Sequence, residues 1–332
     1  MGEHGAAVAG KSRSKTALGY AVAAVCLAWV FHDVRAGGIF KAVGNMQWKW
    51  VAVAVAFDVG GYFCQGKRWA LLLRHCGPIS ARRATQAIYA GLFVNEILPL
   101  RAGEAVRSWL VAKWLKTSFT SVFSSLLVER FLDAIWLALA AGITVWLVPL
   151  PGYLVDAEGI LTALVIAGAA LFLIAVLRGG RTGKETRSAG LRRHLDNLAA
   201  GIASIGRSRL LYASFGISAL MLASQVASYW LVMRAYGLNL SPWHGAAVFL
   251  IVRLGTIIPA APSNIGTYQF FTVAGLAIFG VDKTLATGFS IVVFLILTVP
   301  LWAIGIFAFA RAGLSLSDVR AGKFGEQDLN VS

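Results

Sequence analysis

The sequence predicts an all-α polytopic membrane protein with six full transmembrane spans and two re-entrant helical hairpins, arranged as an inverted-topology repeat. Three observations carry this reading. The 332 residues are 58% hydrophobic and only 14% charged, and the mean hydropathy of +0.71 lies far above that of a soluble domain. Apolar runs approaching or exceeding the roughly 20 residues needed to cross a bilayer recur along the chain. Two other apolar stretches are interrupted by proline at corresponding places in two halves, at Leu98–Pro99 and Ile258–Pro259.

Taken in order, the first span reads as Ala17–Phe31, behind Lys11, Arg13 and Lys15. A cleaved signal peptide with a site near Val34 and Ala36 has the same pattern. Cleavage there would start the mature chain almost directly in another span, so an uncleaved helix is preferred. Trp48–Phe63 is the second span and Phe119–Val148 the third, long and carrying Glu129, Arg130 and Asp133. Ile160–Leu177, Leu210–Met233 and Leu285–Ala310 complete the six. The first hairpin starts near Gln86, breaks at Pro99 and restarts near Gly103. The second runs Gly245–Ile258, then Pro259–Gly266, then Thr267–Val281. A short surface helix is expected at His194–Ile205.

Charge sets the orientation. Lys and Arg outnumber Asp and Glu by 30 to 15, and they gather between spans. One group is Lys11, Arg13 and Lys15. Others are Lys67, Arg68, Arg74, Arg82 and Arg83, then residues 178–209, then Arg311, Arg320 and Lys323. All fall on one side if each broken segment returns to the side it entered from, and that side is the cytoplasm. The layout is then a basic cytoplasmic N-terminus (1–16), a membrane domain (17–310) with halves 17–149 and 160–310, a cytoplasmic loop (178–209) and a cytoplasmic tail (311–332). Three crossings per half invert the second half relative to the first. Matched, interrupted segments in inverted halves point to a transporter site near the bilayer midplane.

In the first hairpin, Pro99 cannot donate to the carbonyl of Asn95, so the helix is expected to open there. Lipid cannot satisfy such a group, so the break must be buried in protein or line a wet cavity. Around it stand Asn95, Glu96, Arg101, Glu104 and Arg107, with Gly103 permitting close backbone approach. These side chains suit an anionic headgroup held by the two arginines. Arginines snorkelling to water with Glu104 pairing them are the alternative, and the place beside the proline break favours the headgroup. In the third span, Glu129, Arg130 and Asp133 sit at helical spacing, either as a functional site or as a salt bridge tying the span to the hairpin. In the second hairpin, Ser263 or Asn264 after Pro262 can cap a new helix whose first turn holds Gly266, Thr267, Tyr268 and Gln269, with Arg253 two turns before the break. A capped N-terminus suits phosphate. An ordinary loop between short spans is the alternative.

Other polar groups are plainer. Asp58 and Gln225 are lone polar residues in apolar helices, explained most simply by interhelical hydrogen bonds, with a proton carrier at Asp58 as the secondary reading. Cys26, Cys64 and Cys76 form no CxxC pair. The five histidines are scattered, so no metal site is expected, and GxxxxGK[ST], GxSxG and HExxH patterns are absent. No catalytic set, cofactor or nucleic-acid partner is expected.

NEILPLRAGEAVRSWL (Asn95–Leu110), LLVERFLDAIWLAL (Leu126–Leu139) and PAAPSNIGTYQFFTVAGLAIFGV (Pro259–Val281) together resemble the family named for the membrane part of lysylphosphatidylglycerol synthases, whose members are often called flippase-like. The resemblance spans about Ala17 to Ala310. It implies a polytopic fold with inverted halves and lipid movement between leaflets. The positions it carries over are Asn95, Pro99, Arg101, Gly103, Glu104, Arg107, Glu129, Arg130, Asp133, Pro262, Gly266 and Gln269. Many members have Glu at the place of Gln269, which weakens a charge or proton role there. The full synthases also carry a soluble aminoacyl-transferase domain, for which no room is expected after Arg311.

The expected function is a lipid flippase or transporter. It would move an anionic phospholipid or polyprenyl-phosphate-type lipid through a polar crevice between the hairpins, in a bacterial cytoplasmic membrane. A membrane enzyme acting on a lipid-linked substrate, with Glu104, Glu129 or Asp133 as base, is the alternative. So is an accessory subunit partnering a lipid or glycan synthase.

Overall fold

Lipid offers a backbone no hydrogen-bond partner, and an apolar chain meets that condition with helices. The structure is a computed structural model describing residues 18–34, 36–98, 102–178, 191–257, 261–315 and 317. Pro99, Arg101 and Pro259 lie outside the described residues. Among the described residues there are twelve α-helices and no strand. They are α1 (Leu18–Phe31), α2 (Ala36–Gly44), α3 (Trp48–Leu72), α4 (Ala81–Ile97), α5 (Gly103–Leu115), α6 (Phe119–Leu147), α7 (Gly152–Arg178), α8 (Leu191–Gly206), α9 (Leu210–Tyr236), α10 (Pro242–Gly255), α11 (Thr267–Ile278) and α12 (Lys283–Arg311). Short 3₁₀ turns at Leu73–His75 and Pro262–Asn264 join α3 to α4 and α10 to α11.

Among the described residues, three helices are long and apolar enough to cross a membrane: α7 over Gly152–Ile174, α9 and α12. Outward-facing Ile160, Leu164, Ile166 and Leu171 on α7 suit contact with acyl chains. At 25 and 29 residues, α3 and α6 have the length to span, about 38 and 44 Å. Their ionisable residues, Asp58, Lys67 and Arg68 on α3 and Glu129, Arg130 and Asp133 on α6, lower their apolar character.

Several boundaries differ from the sequence reading. Helix α3 continues nine residues past Phe63, so Lys67 and Arg68 belong to a helix and not to a loop. Arg82 and Arg83 lie in the first turn of α4, which begins at Ala81 rather than near Gln86. Helix α7 starts at Gly152, because Asp156 and Glu158 fit within a helix: Thr162 Oγ1 donates to Glu158 Oε1 at 2.7 Å, one turn apart. The nine-residue α2, flanked by charge, has no counterpart in the sequence reading. The surface helix α8 is longer than expected and packs on α6 and α7, and Arg207 Nη2 reaches the Val176 carbonyl near the end of α7 at 2.9 Å.

The chain forms two compact units. The first comprises residues 1–57, 94–102 and 226–300. Its core is built around Tyr229, Tyr236, Phe289, Val248, Leu276 and Val30. Thr287 Oγ1 donates to the Val30 carbonyl at 3.2 Å and Tyr229 Oη to Thr272 Oγ1 at 3.3 Å. Within this unit α10 and α11 pack side by side and antiparallel. Gly255 abuts the Phe271 ring, and a Cβ at Gly275 would lie 3.2 Å from Val248 Cγ1.

The second unit comprises residues 58–93, 103–225 and 301–332. Here α4 and α5 also fold back on one another. Gly91 faces the start of α5 so closely that a Cβ would sit 2.5 Å from the Gly103 carbonyl oxygen and 3.0 Å from Arg107 Cβ. The sequence assigned close approach to Gly103; the structure adds Gly91 as the glycine on the opposing arm. Gly91→Ala is expected to destabilise the protein by about 1–3 kcal/mol. Thermal unfolding in detergent measures this against Gly159→Ala, where nothing lies within 4 Å of the added carbon.

Candidate functional site: a buried ion network and two chain breaks

Helical spacing assembles the first set of polar groups. Gln65, Arg68 and Trp69 fall at i, i+3 and i+4 on α3 and so share a face. Ser125, Glu129 and Asp133 share a face of α6, and Glu104 and Arg107 share one of α5. These faces meet in the second unit with Ser218 of α9.

Glu129 is wholly buried and sits at the centre. Its Oε1 accepts from Gln65 Nε2 at 2.8 Å and lies 3.0 Å from Arg68 Nη2. Its Oε2 lies 3.3 Å from Arg107 Nη2. Arg68 also pairs with Asp133 and donates from Nη1 to Ser218 Oγ at 2.8 Å. The Arg107 guanidinium stacks over the Trp69 ring at 4.7 Å, and Trp69 Nε1 donates to Ser125 Oγ at 3.0 Å. Arg130 donates to Glu104 Oε1 at 2.7 Å and lies 3.5 Å from Asp133 Oδ2.

Three guanidiniums, Arg68, Arg107 and Arg130, thus face three carboxylates, Glu104, Glu129 and Asp133. The set is neutral overall. Charges of this kind survive burial only when paired and hydrogen-bonded. Its two ends differ. The side chains of Arg68 and Glu129 are 0% exposed, whereas Arg130 is 41%, Glu104 24% and Asp133 16%. The Arg130 end is therefore where an outside anion could exchange with a carboxylate.

The structure thus brings together Glu104, Arg107, Glu129, Arg130 and Asp133. It adds Gln65, Arg68, Trp69 and Ser218, which the sequence reading missed. By sequence Arg68 reads as a loop charge because it follows an apolar run. The available signal was its i, i+3, i+4 spacing with Gln65 and Trp69.

The second set lies in the first unit, at the two chain breaks. Asn95 and Glu96 are half-buried at the end of α4. Ser263 Oγ donates to the Glu96 carbonyl at 3.3 Å, so the turn before α11 touches the last turn of α4. Ser263 and Asn264 both take positive φ, 57° and 54°. Neither caps the next helix. Gly266, at φ 90°, occupies the cap position, and Gln269 reaches back to accept from its N–H at 2.7 Å. Thr267 Oγ1 donates to the Asn264 carbonyl at 3.0 Å. Tyr268 stacks edge-on against Phe294 at 5.4 Å, and Arg253 is half-buried on α10. Pro262 opens the 3₁₀ turn. Among the described residues no group of three His, Cys, Asp or Glu side chains is placed to hold a metal ion.

Comparison with known proteins places this arrangement. Residues 16–305 match the family model described as the lysylphosphatidylglycerol synthase TM region. A membrane protein of Methanothermobacter thermautotrophicus, named UPF0104, is 22% identical over 92% of this chain and 98% of its own length. A second UPF0104 membrane protein of the same organism is 24% identical over 85% of this chain and 90% of its own. The glycosyltransferase AglD of Haloferax volcanii is 24% identical over 71% of this chain, a match that covers 44% of that protein.

Proposed function

Because the chain belongs to the lysylphosphatidylglycerol synthase TM region family, we propose that it is an integral membrane lipid transporter moving an anionic or lipid-linked headgroup between leaflets. The finer architecture belongs to this proposal. Each half contributes span, span, re-entrant hairpin, span: α1, α3, α4–α5 and α6, then α7, α9, α10–α11 and α12. The halves are inverted, and both termini lie in the cytoplasm of a bacterial inner membrane.

The observation that carries the reading is the contact of Ser263, in the turn before α11, with the Glu96 carbonyl at the end of α4. Two segments far apart in sequence, each next to a proline interruption, touch inside an apolar helical protein, as a midplane polar site requires. Asn95, Glu96, Arg253, Ser263, Asn264, Gly266, Thr267, Tyr268 and Gln269 supply its polar groups, with Gly103 opening α5 and Pro262 the 3₁₀ turn. By sequence, Arg101, Pro99 and Pro259 belong to the same proposal. Arg130, paired with Glu104 and Asp133, forms a second polar station, where a phosphate can replace Glu104 on Arg130 without leaving the guanidinium bare. The substrate class is an anionic phospholipid or a polyprenyl-phosphate-type lipid, whose tails stay in the bilayer.

Reconstitution tests this. Vesicles holding the protein are expected to expose inner-leaflet headgroups faster than empty vesicles, and Arg130→Ala to slow that movement about tenfold, the cost of one charged hydrogen bond. Rates equal to those of empty vesicles, for anionic phospholipids and polyprenyl phosphates alike, would falsify the reading.

The AglD relative favours a second reading, an accessory subunit of a lipid-linked glycan synthase, since the match there covers part of a longer protein named a glycosyltransferase. Co-purification with such a synthase, with activity indifferent to Arg130→Ala, is the result that reading expects.

A further inference from the structure

We propose that Asp58 is a reversible protonation site within the membrane domain, with Tyr89 holding its ionised form and Gln225 its neutral form. The ion network does not use Asp58. It is 6% exposed in the apolar run WVAVAVAFDVGGYF of α3, and among the described residues no cation lies within ion-pairing distance of it. Glu129, the other deeply buried carboxylate of this unit, has two guanidiniums against it. A carboxylate without a cation in an apolar interior is costly, and it either takes up a proton or finds strong donors.

The surroundings provide for both states. The Tyr89 hydroxyl of α4 is buried and has no hydrogen-bond partner. The Tyr62 ring packs against Tyr89 at 5.3 Å between centroids. Gly61, one turn beyond Asp58 on the same face of α3, lies against Ser224 and Gln225 of α9, at 3.6 and 3.9 Å from an added Cβ. Gln225 Oε1 is likewise buried and unpartnered. From α12, Gly305 packs on the Tyr89 carbonyl and brings no titratable group. A donor on α4 and an acceptor on α9, both unused and both buried, thus belong to side chains packed on Tyr62 and Gly61, one turn beyond Asp58 on α3.

The step is a simple protonation. The carboxylate accepts a proton from bulk water and becomes a neutral acid. Its O–H then donates to Gln225 Oε1, and the Tyr89 O–H donates to the carboxylate once the proton leaves. A proton needs no larger ligand shell, whereas a metal cation would need more oxygens than these three side chains supply. Coupling of this proton to headgroup movement rests on the transporter reading above; the protonation itself does not.

Infrared difference spectroscopy of the full chain, following the carboxylic C=O stretch, tests the site. A band that titrates with bulk pH is expected, lost in Asp58→Asn and retained in Asp58→Glu. Tyr89→Phe removes the donor to the ionised form and should raise the midpoint. Gln225→Leu removes the acceptor for the neutral form and should lower it, each by about one pH unit. No titrating band, or one that persists in Asp58→Asn, overturns the proposal. In vesicles, an imposed proton gradient should change headgroup movement several-fold in the wild type and leave Asp58→Asn unaffected. Movement indifferent to the gradient in both overturns the coupling. A titrating Asp58 in a protein that moves no lipid supports the site and removes the transporter reading instead.

Discussion

Glu129→Gln is expected to cost about 3–5 kcal/mol of stability, the loss that follows when one member of a buried ion pair is removed. Arg68 and Arg107 are almost fully buried and share this carboxylate. Neutralising it takes the facing counter-charge from Arg107, which keeps the Trp69 ring, and leaves Arg68 with Asp133 and Ser218. Arg130→Gln touches the exposed end of the same network and should cost about 1 kcal/mol or less, because water takes over the lost contacts. Replacing Arg68, Arg107, Glu129 and Asp133 together by Met, Met, Leu and Leu should recover most of the single-variant loss, since two cations and two anions leave together and Arg130 keeps Glu104. Thermal and denaturant unfolding in detergent measure all three. A Glu129→Gln protein as stable as the parent would show that the guanidiniums find other partners.

Gly266→Ala should have a comparable effect by a different route. Gly266 sits at φ 90°, where an L side chain is strained, and an added Cβ would lie 2.5 Å from the Ala23 carbonyl oxygen and 2.9 Å from its Cα. Both obstacles are backbone, so neither can rotate aside. Strain and overpacking together give an expected loss of about 2–5 kcal/mol. Gln269→Ala, which frees the Gly266 N–H but adds no clash, should lose about 1–2 kcal/mol. Gly266→Ala equal in stability to Gly159→Ala would mean α1 shifts freely away from the turn.

Much of the helical pattern was legible because apolar runs, prolines and glycines leave direct marks. Pro262 marked the start of the 3₁₀ turn before α11, and hydropathy alone placed α9 and α12 to within three residues at each end. What escaped depended on partners. Arg68 reads as a loop cation until α6 is placed beside α3, since burial of a guanidinium is decided by the carboxylates it meets. The capping of α11 escaped for a similar reason. Ser263 and Asn264 are strong capping residues by type, but their positive φ hands the cap position to Gly266. Gln269 then serves by holding that glycine's N–H rather than by carrying charge. Gly91 had no signal at all, because a glycine in mid-helix says nothing of the neighbour it admits.

The equal count of acids and bases around Glu129 has an electrical consequence. A rearrangement that carries the six side chains together along the bilayer normal transports no net charge. It therefore does no work against the membrane potential, which would otherwise contribute about 2.3 kcal/mol per elementary charge per 100 mV. Transitions involving this cluster should run at the same rate in polarised and depolarised membranes, leaving voltage to act on the cargo.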